Sequence, residues 1–514
     1  MRATAVLSWG VILLLAFGLP VLHWLGSEAE RSAAATQAAH PPTKLPGTGT
    51  DVLPASGEAA VSMELRFASK YAVGTKVLFG ITDPSLPAQL DKAAKSDTDR
   101  VAIAVVAGEV QGRDAALTRL DQINTPDARA FERIYAAAAT QPATQTTTGP
   151  ATAEAIATTR SADFDPAAYH HRYGFFAELA SAFGRPPAER AAVDAAGKRA
   201  VYIAIGLLAV GGAAALLGVG LLITAIVLLA LGKLRFATRR PTMPATYYVE
   251  AFAIYLVLLL GGSLATSLLP EGLPVIFKLA PLGAVVFFAA SWPMLRGGGV
   301  SYVDRADAAP IPVLPGRGFD PLFGLPPPPS PLAAPAGDGG GAHMAEERLT
   351  AWQAYRRDVG LHAGAGFFKE VAFGVLGYLA GLPLIALALL LVLLLSQWAG
   401  ETTSHPIVQT IDRTSVWSLL LLAAVFAPLT EELMFRGLFV SHLRRGVGVF
   451  LAAAISGLIF AAVHPQGWLA IPALATIGGW FAVVRQWRGS LIASTVMHAI
   501  NNGALVLIMV NVMK

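Results

Sequence analysis

The C-terminal part of the sequence carries polar and ionisable side chains where a lipid-soluble helix should have none. Ala427–Val440 reads APLTEELMFRGLFV, so Glu431, Glu432 and Arg436 interrupt an otherwise apolar run. Val463–Gly467 reads VHPQG, with His464 closing the next run, and Val496–Gly503 reads VMHAINNG, with His498, Asn501 and Asn502 deep in the last one. A charged side chain at mid-bilayer costs at least ~2.5–3.5 kcal/mol on insertion scales, so three intrusions between Glu431 and Asn502 ask for a common reason. Helical spacing supplies part of it. Glu432 and Arg436 are i and i+4, stack on one face and can neutralise each other. Glu431 is rotated ~100° away and is left to point elsewhere. His498 and Asn502 share a face at the same spacing, as do Phe460 and His464, and Pro465 breaks the helix behind His464. If these faces converge, one carboxylate, two imidazoles and an amide surround a point that water can reach. That set suits hydrolysis: a Glu–His pair deprotonates water, and His and Asn donors stabilise the oxyanion of an attacked carbonyl.

Each piece alone has a plainer explanation. The EE…R cluster could be a structural ion pair at a helix end, His464 a cap, and His498 with Asn502 hydrogen-bonding glue between helices. Their occurrence in order on three successive apolar segments favours chemistry. The other histidines stand apart: His170 and His171, beside Tyr169 and Arg172, are at most a weak metal-site pattern, and His442, next to the basic pair Arg444 and Arg445, reads as interfacial.

The elements that must position these residues are membrane spans. The 514 residues are 54% hydrophobic and only 14% charged, with a mean hydropathy of +0.55; a soluble protein usually carries about a quarter charged residues. A net charge of +4 is too small to argue for nucleic acid, and the absence of cysteine excludes disulfides, thiolate metal sites and a cysteine nucleophile. Apolar blocks occur at Val6–Trp24, Val201–Leu231, Tyr248–Leu269, Val275–Leu295, Val371–Leu395, Val416–Phe439, Val447–Val463, Leu469–Val484 and Leu491–Val512. Blocks of this kind are long enough to cross ~30 Å of hydrocarbon as helices. The expected fold is therefore an all-α polytopic membrane protein with about nine transmembrane helices and an N-terminal extracytoplasmic domain. Basic residues follow the even-numbered spans (Lys233, Arg235, Arg239 and Arg240; Arg296; Arg444 and Arg445; Arg485 and Arg488), whereas the short loops opposite hold Glu271, then Glu401, Asp412 and Arg413, then the uncharged Pro465–Gly467. The positive-inside rule then puts the N-terminus in the cytoplasm.

The resulting organisation is a membrane anchor over 1–25, an extracytoplasmic domain over 26–198, three spans over 199–295, a cytoplasmic linker over 296–369 and a five-span domain over 370–514. Amphipathic helical pieces are expected over Val101–Ala139 and Tyr169–Ala196, separated by the low-complexity linker Gln141–Thr159. The prolines at 326–329 and the glycines at 339–341 mark the cytoplasmic linker as extended chain. An Ala- and Gly-rich composition fits a bacterial source, hence an inner membrane.

The three motifs EExxxR (Glu431, Glu432, Arg436), FxxxH (Phe460, His464) and HxxxN (His498, Asn502), on successive hydrophobic segments, resemble those of the CPBP family of intramembrane proteases, which joins the type II CAAX prenyl proteases with the bacteriocin-processing, Abi-type proteins. The resemblance covers roughly Val416–Val512. It implies a helical membrane fold and hydrolysis of a peptide bond near the membrane, on a peptide or protein substrate, with the lipid bilayer as the other partner. Carried over by residue, Glu431 and His464 activate the water, His498 and Asn502 form the oxyanion hole, and Glu432 and Arg436 support them. The family is often labelled metallo, and Glu431, His464 and His498 are plausible zinc ligands, yet no HExxH occurs. A metal-free and a zinc-dependent endopeptidase both stand as expectations.

Other classes compete. A rhomboid-type serine protease needs GxSG, and the nearest stretch, Ala454-Ile455-Ser456-Gly457, lacks the first glycine. An aspartyl intramembrane protease needs Asp within two spans, which is not met. A transporter would explain polar groups at mid-membrane, but the two halves carry no matching polar motifs. A catalytically inactive, Abi-like binding or immunity protein keeps the fold and drops the chemistry.

Overall fold

The computed structural model describes residues 3–18, 61–137 except 62, 93 and 95, 166–267 except 238, 275–303, 348–399 and 415–513. The linker Gln141–Thr159, the proline run at 326–329 and the loop residues Glu271, Glu401, Asp412 and Arg413 lie outside the described residues. What is described is helical, apart from one antiparallel pair, β1 (Tyr302–Val303) and β2 (Arg348–Leu349), in which Tyr302 faces Leu349 and Val303 faces Arg348. The chain divides into two compact units: Met1–Pro42 with Ala213–Leu507, and Thr43–Gly212 with Ile508–Lys514.

After α1 (Ala3–Leu13), the polar unit is built from α2 (Met63–Phe79), α3 (Leu86–Asp91), α4 (Asp97–Val110), α5 (Arg113–Asp121), α6 (Pro126–Ala137), α7 (Pro166–Tyr173), α8 (Phe175–Ser181) and the start of α9 (Pro187–Ala230). Its core includes Phe131 against Tyr173, with ring centroids 4.9 Å apart, and Tyr135 against Phe183 at 4.8 Å. The buried Glu109 is answered by Lys76 at 2.8 Å and Arg190 at 2.9 Å. The two amphipathic stretches expected here correspond to α4–α6 and to α7, α8 and the first turns of α9. Helix α2 was not anticipated.

The apolar unit holds α1, the rest of α9, α10 (Ala245–Ser267), α11 (Val275–Gly297), α12 (Ala351–Val359), α13 (Phe367–Ala399), α14 (Val416–Leu443), α15 (Val449–Ala462), α16 (Ile471–Arg488) and, up to Leu507, α17 (Leu491–Met513). Among the described residues, six helices are long and apolar enough to cross a membrane, within α9, α10, α13, α14, α16 and α17. That makes the chain a multi-pass membrane protein. The six compare with the nine expected; among the described residues Ala3–Phe17 and Val449–Ala462 are apolar but shorter.

Aromatic packing ties this unit together. Phe252 of α10 stacks on Phe439 of α14 at 4.5 Å and meets Phe435 edge-on at 5.0 Å, and Phe435 meets Phe460 of α15 at 5.1 Å. Trp9 of α1 lies 5.5 Å from Phe439 and donates its indole N–H to His442 Nε2 at 3.1 Å, while His442 Nδ1 faces Ala245 O at 2.8 Å. Both ring nitrogens of His442 thus link α14 to its neighbours.

Helix α12 lies within the stretch expected to be linker. It forms because Thr350 and Gln353 make a reciprocal capping box at its start, and because Gly360, at φ +86°, turns the chain at its end. It docks firmly. The buried Asp358 carboxylate accepts from Thr242 N at 2.7 Å, Met243 N at 2.9 Å and Tyr248 Oη at 2.8 Å. Arg485 of α16 donates to Val359 O at 2.8 Å, and Leu491 N of α17 to Gly360 O at 3.1 Å. The short helix therefore joins the ends of α10, α16 and α17.

Candidate active site

Helix α14 is not uniform. It is α-helical over Ala427–Glu431 and π-helical over Leu421–Phe426 and Glu432–Phe439, with Pro428, which has no N–H to give, between the wide stretches. π-Helical turns take an extra residue per hydrogen-bonded ring and are frequent at functional sites. Plain α-helical spacing is therefore corrected over Glu432–Phe439, although the pairing it implied survives: Arg436 Nη1 lies 3.1 Å from Glu432 Oε1, both side chains fully buried.

Glu431 points away from that pair, and its Oε2 lies 3.7 Å from His464 Nε2 and 3.7 Å from His498 Nε2. One carboxylate oxygen from α14 thus faces an imidazole at the end of α15 and another from α17. Both gaps exceed a direct N–H···O hydrogen bond of about 2.7–3.2 Å, and Glu431 Oε2 is buried with no hydrogen-bond partner. A water about 2.8 Å from the oxygen and from either nitrogen would bridge them. The side chains of Glu431 and His464 are 22% and 20% exposed, against 3% for His498, so the opening lies on the Glu431–His464 side.

The ring orientations are fixed from behind. His464 Nδ1 faces its own helix at Phe460 O, 2.5 Å away, so with its proton there Nε2 turns a lone pair toward Glu431. His498 Nδ1 lies 3.0 Å from Glu432 Oε1. Arg436, Glu432 and His498 form a chain in which a buried cation holds the carboxylate that orients the imidazole. The guanidinium is also bonded to Gly478 O at 2.9 Å and lies over the Phe460 ring at 4.5 Å.

Phe460 has a job the sequence left blank. One ring packs against Arg436, against the His464 ring at 4.2 Å and against His498 at 5.9 Å. Gly478 is the other residue missed: a Cβ there would come within 3.0 Å of Phe460 and 3.2 Å of Arg436. The only sequence sign of it was the pair of small residues Gly478–Gly479 facing a helix that itself contains Gly457.

Asn502 stands one turn beyond His498 as expected, but it is tied into the wall: Nδ2 donates to Ala423 O at 3.0 Å and Oδ1 accepts from Asn501 at 3.1 Å. Its second Nδ2 proton is not used in those contacts. His170 pairs with Glu178 at 3.4 Å, which gives that histidine an ordinary partner.

Zinc was the alternative cofactor. The donor types fit, since two Nε2 atoms face one carboxylate oxygen. The spacing does not: tetrahedral ligands at ~2.0–2.1 Å from zinc stand about 3.3 Å apart, whereas both N–O separations are 3.7 Å. Among the described residues no group of three or more His, Asp or Glu is arranged to hold a metal ion.

No curated protein and no solved structure matches the chain. One family model does, and it spans every residue of the constellation from Glu431 to Asn502: residues 413–504, the C-terminal part of this chain, match the family described as type II CAAX prenyl endopeptidase Rce1-like.

Proposed function

We propose that this protein is an intramembrane endopeptidase that hydrolyses a peptide bond near the membrane with water activated at Glu431. The observation that carries the reading is the convergence of two imidazole Nε2 atoms, each 3.7 Å away, on one buried, unpartnered carboxylate oxygen. The match to a protease family over the same residues supports it.

Water sits between Glu431 Oε2 and His464 Nε2. Glu431 takes its proton as the oxygen attacks the scissile carbonyl, and His464 holds the water through its Nε2 lone pair. The oxyanion forms beside α17, where His498, acting as an imidazolium with its Nδ1–H held by Glu432, donates from Nε2 together with the second Nδ2 proton of Asn502. Glu431 then passes its proton to the leaving amine. Glu432 and Arg436 act by holding His498, and Phe460 by keeping both imidazoles in register. The membrane carries the substrate to this point, in the topology of a cytoplasmic N-terminus and an extracytoplasmic unit over 26–198.

Comparing membrane proteomes, with new N-termini mapped, between cells expressing the native chain and Glu431→Gln tests the reading. Peptide termini present with the native chain and absent with an equally abundant, folded variant are the expected result. Identical termini in both would overturn it and favour a non-catalytic, Abi-like binder or a transporter.

A further inference from the structure

A groove of about 540 Å³ lies between α1, α10 and α11, away from the Glu431 site. Its wall is apolar along Val11, Ile254, Val257 and Phe288, and one end is polar, with Glu250, Trp292 and Arg296. From Glu250 to Leu258 the groove follows α10 for about 12 Å at 1.5 Å per residue. Phe288 is 46% and Val257 50% exposed, which is unremarkable for side chains that meet acyl chains instead of water.

The polar end is built. Glu250 is 8% exposed, and its Oε2 accepts from Trp292 Nε1 at 3.2 Å and faces Arg296 Nε at 3.3 Å. Its other oxygen, Oε1, is buried with no hydrogen-bond donor. A carboxylate in an apolar setting with one oxygen unanswered is costly unless a donor arrives. Arg296 is 44% exposed and rests over the Tyr247 ring at 5.5 Å, so its cation stands at the groove's mouth. The end therefore offers one anion and one cation side by side at the foot of an apolar channel.

We infer that this groove binds a phospholipid with a primary-ammonium headgroup, of the phosphatidylethanolamine type. The acyl chain lies along Val11, Ile254 and Val257, the phosphate meets Arg296, and the ammonium donates to the unanswered oxygen of Glu250. Charge complementarity selects this lipid. A choline headgroup has no N–H to donate, and a glycerol headgroup brings no cation to Glu250. Both the anchor helix α1 and the spans α10 and α11 contribute, so the lipid fills the seam between them.

The test uses the full-length protein, delipidated in detergent, with dioleoyl phosphatidylethanolamine, phosphatidylcholine and phosphatidylglycerol titrated separately and binding read by native mass spectrometry. The ethanolamine lipid is expected to bind about ten-fold more tightly than the choline lipid, the difference of one charge-assisted hydrogen bond. Glu250→Gln should erase that preference, and Val257→Trp, which fills the channel, should weaken all three lipids. Arg296→Gln, at a position 44% exposed, should weaken the ethanolamine and choline lipids alike, and it gives a second reading if Glu250→Gln does not fold. Equal ethanolamine and choline affinities, tighter phosphatidylglycerol binding, a preference that survives Glu250→Gln, or no loss with Arg296→Gln or Val257→Trp would each overturn the inference. Glu431→Gln should bind lipid as the native chain does, so failure of the protease reading leaves this one standing.

Discussion

The buried pair of Glu432 and Arg436 gives the sharpest quantitative prediction. At 3.1 Å and an effective dielectric of 20, their attraction is about 5 kcal/mol. Both side chains are fully buried, so removing one partner strands the other charge. Arg436→Met leaves Glu432 with only His498 Nδ1 and the Ser494 hydroxyl, and Glu432→Gln leaves Arg436 with Gly478 O and the rings of Phe460, Phe481 and Phe435 at 4.5, 5.6 and 5.7 Å. Each single change is expected to cost about 3–5 kcal/mol. The double variant Glu432→Gln/Arg436→Met removes the desolvated pair together and should return to within about 2 kcal/mol of the native chain, a coupling of several kcal/mol. Reversible unfolding in mixed micelles measures all four proteins. Cleavage separates packing from orientation: the rescued double variant has lost the carboxylate that fixes His498, so its rate should stay down by about 10² or more. Single variants costing under about 1 kcal/mol, additive costs in the double variant, or a double variant with native activity would refute the argument.

Phe460→Leu should lower stability by about 1–3 kcal/mol, through the lost ring contacts with Arg436 and both imidazoles, and should slow cleavage although the residue reaches no substrate; unfolding and turnover on the same preparation check this. Gly360→Ala should destabilise by about 2 kcal/mol or more, because φ is +86° and the added Cβ would run into the Arg485 guanidinium. His362 lies before α13, outside the spans, and burial, aided by the Arg485 charge, holds its pKa below the ordinary histidine value. The folded protein then binds fewer protons than the unfolded chain below about pH 6.5, so this group withdraws stability as the pH falls through that range and has no effect above it. His362→Gln should flatten that part of the unfolding profile, and an unchanged profile would contradict the assignment.

The site was legible because polar groups in apolar helices are expensive and so stand out. Spacing alone paired Glu432 with Arg436 and left Glu431 to point elsewhere; the structure has the pair and turns Glu431 Oε2 to His464 and His498. It could not reveal the π-helical turns of α14, nor that Phe460 supports two imidazoles and a guanidinium at once, because those depend on three helices meeting. Helix α12 was hidden for another reason. Its capping box and stop glycine are local signals, but they follow a proline- and glycine-rich stretch that dominates the composition, and Asp358 is stabilised by backbone donors more than a hundred residues earlier in the chain. Short helices blur the span count: α15 has only 14 residues, yet the chain leaving it carries His464 into the site.

The two-stranded clip that pairs Tyr302 with Leu349 has a practical corollary. It brings together the chain on either side of residues 304–347, so the helices before and after are indifferent to how much polypeptide runs between them. An affinity handle or a fluorescent reporter grafted between those strands would leave α11 and α12 where they stand, which makes this the natural place to instrument the protein.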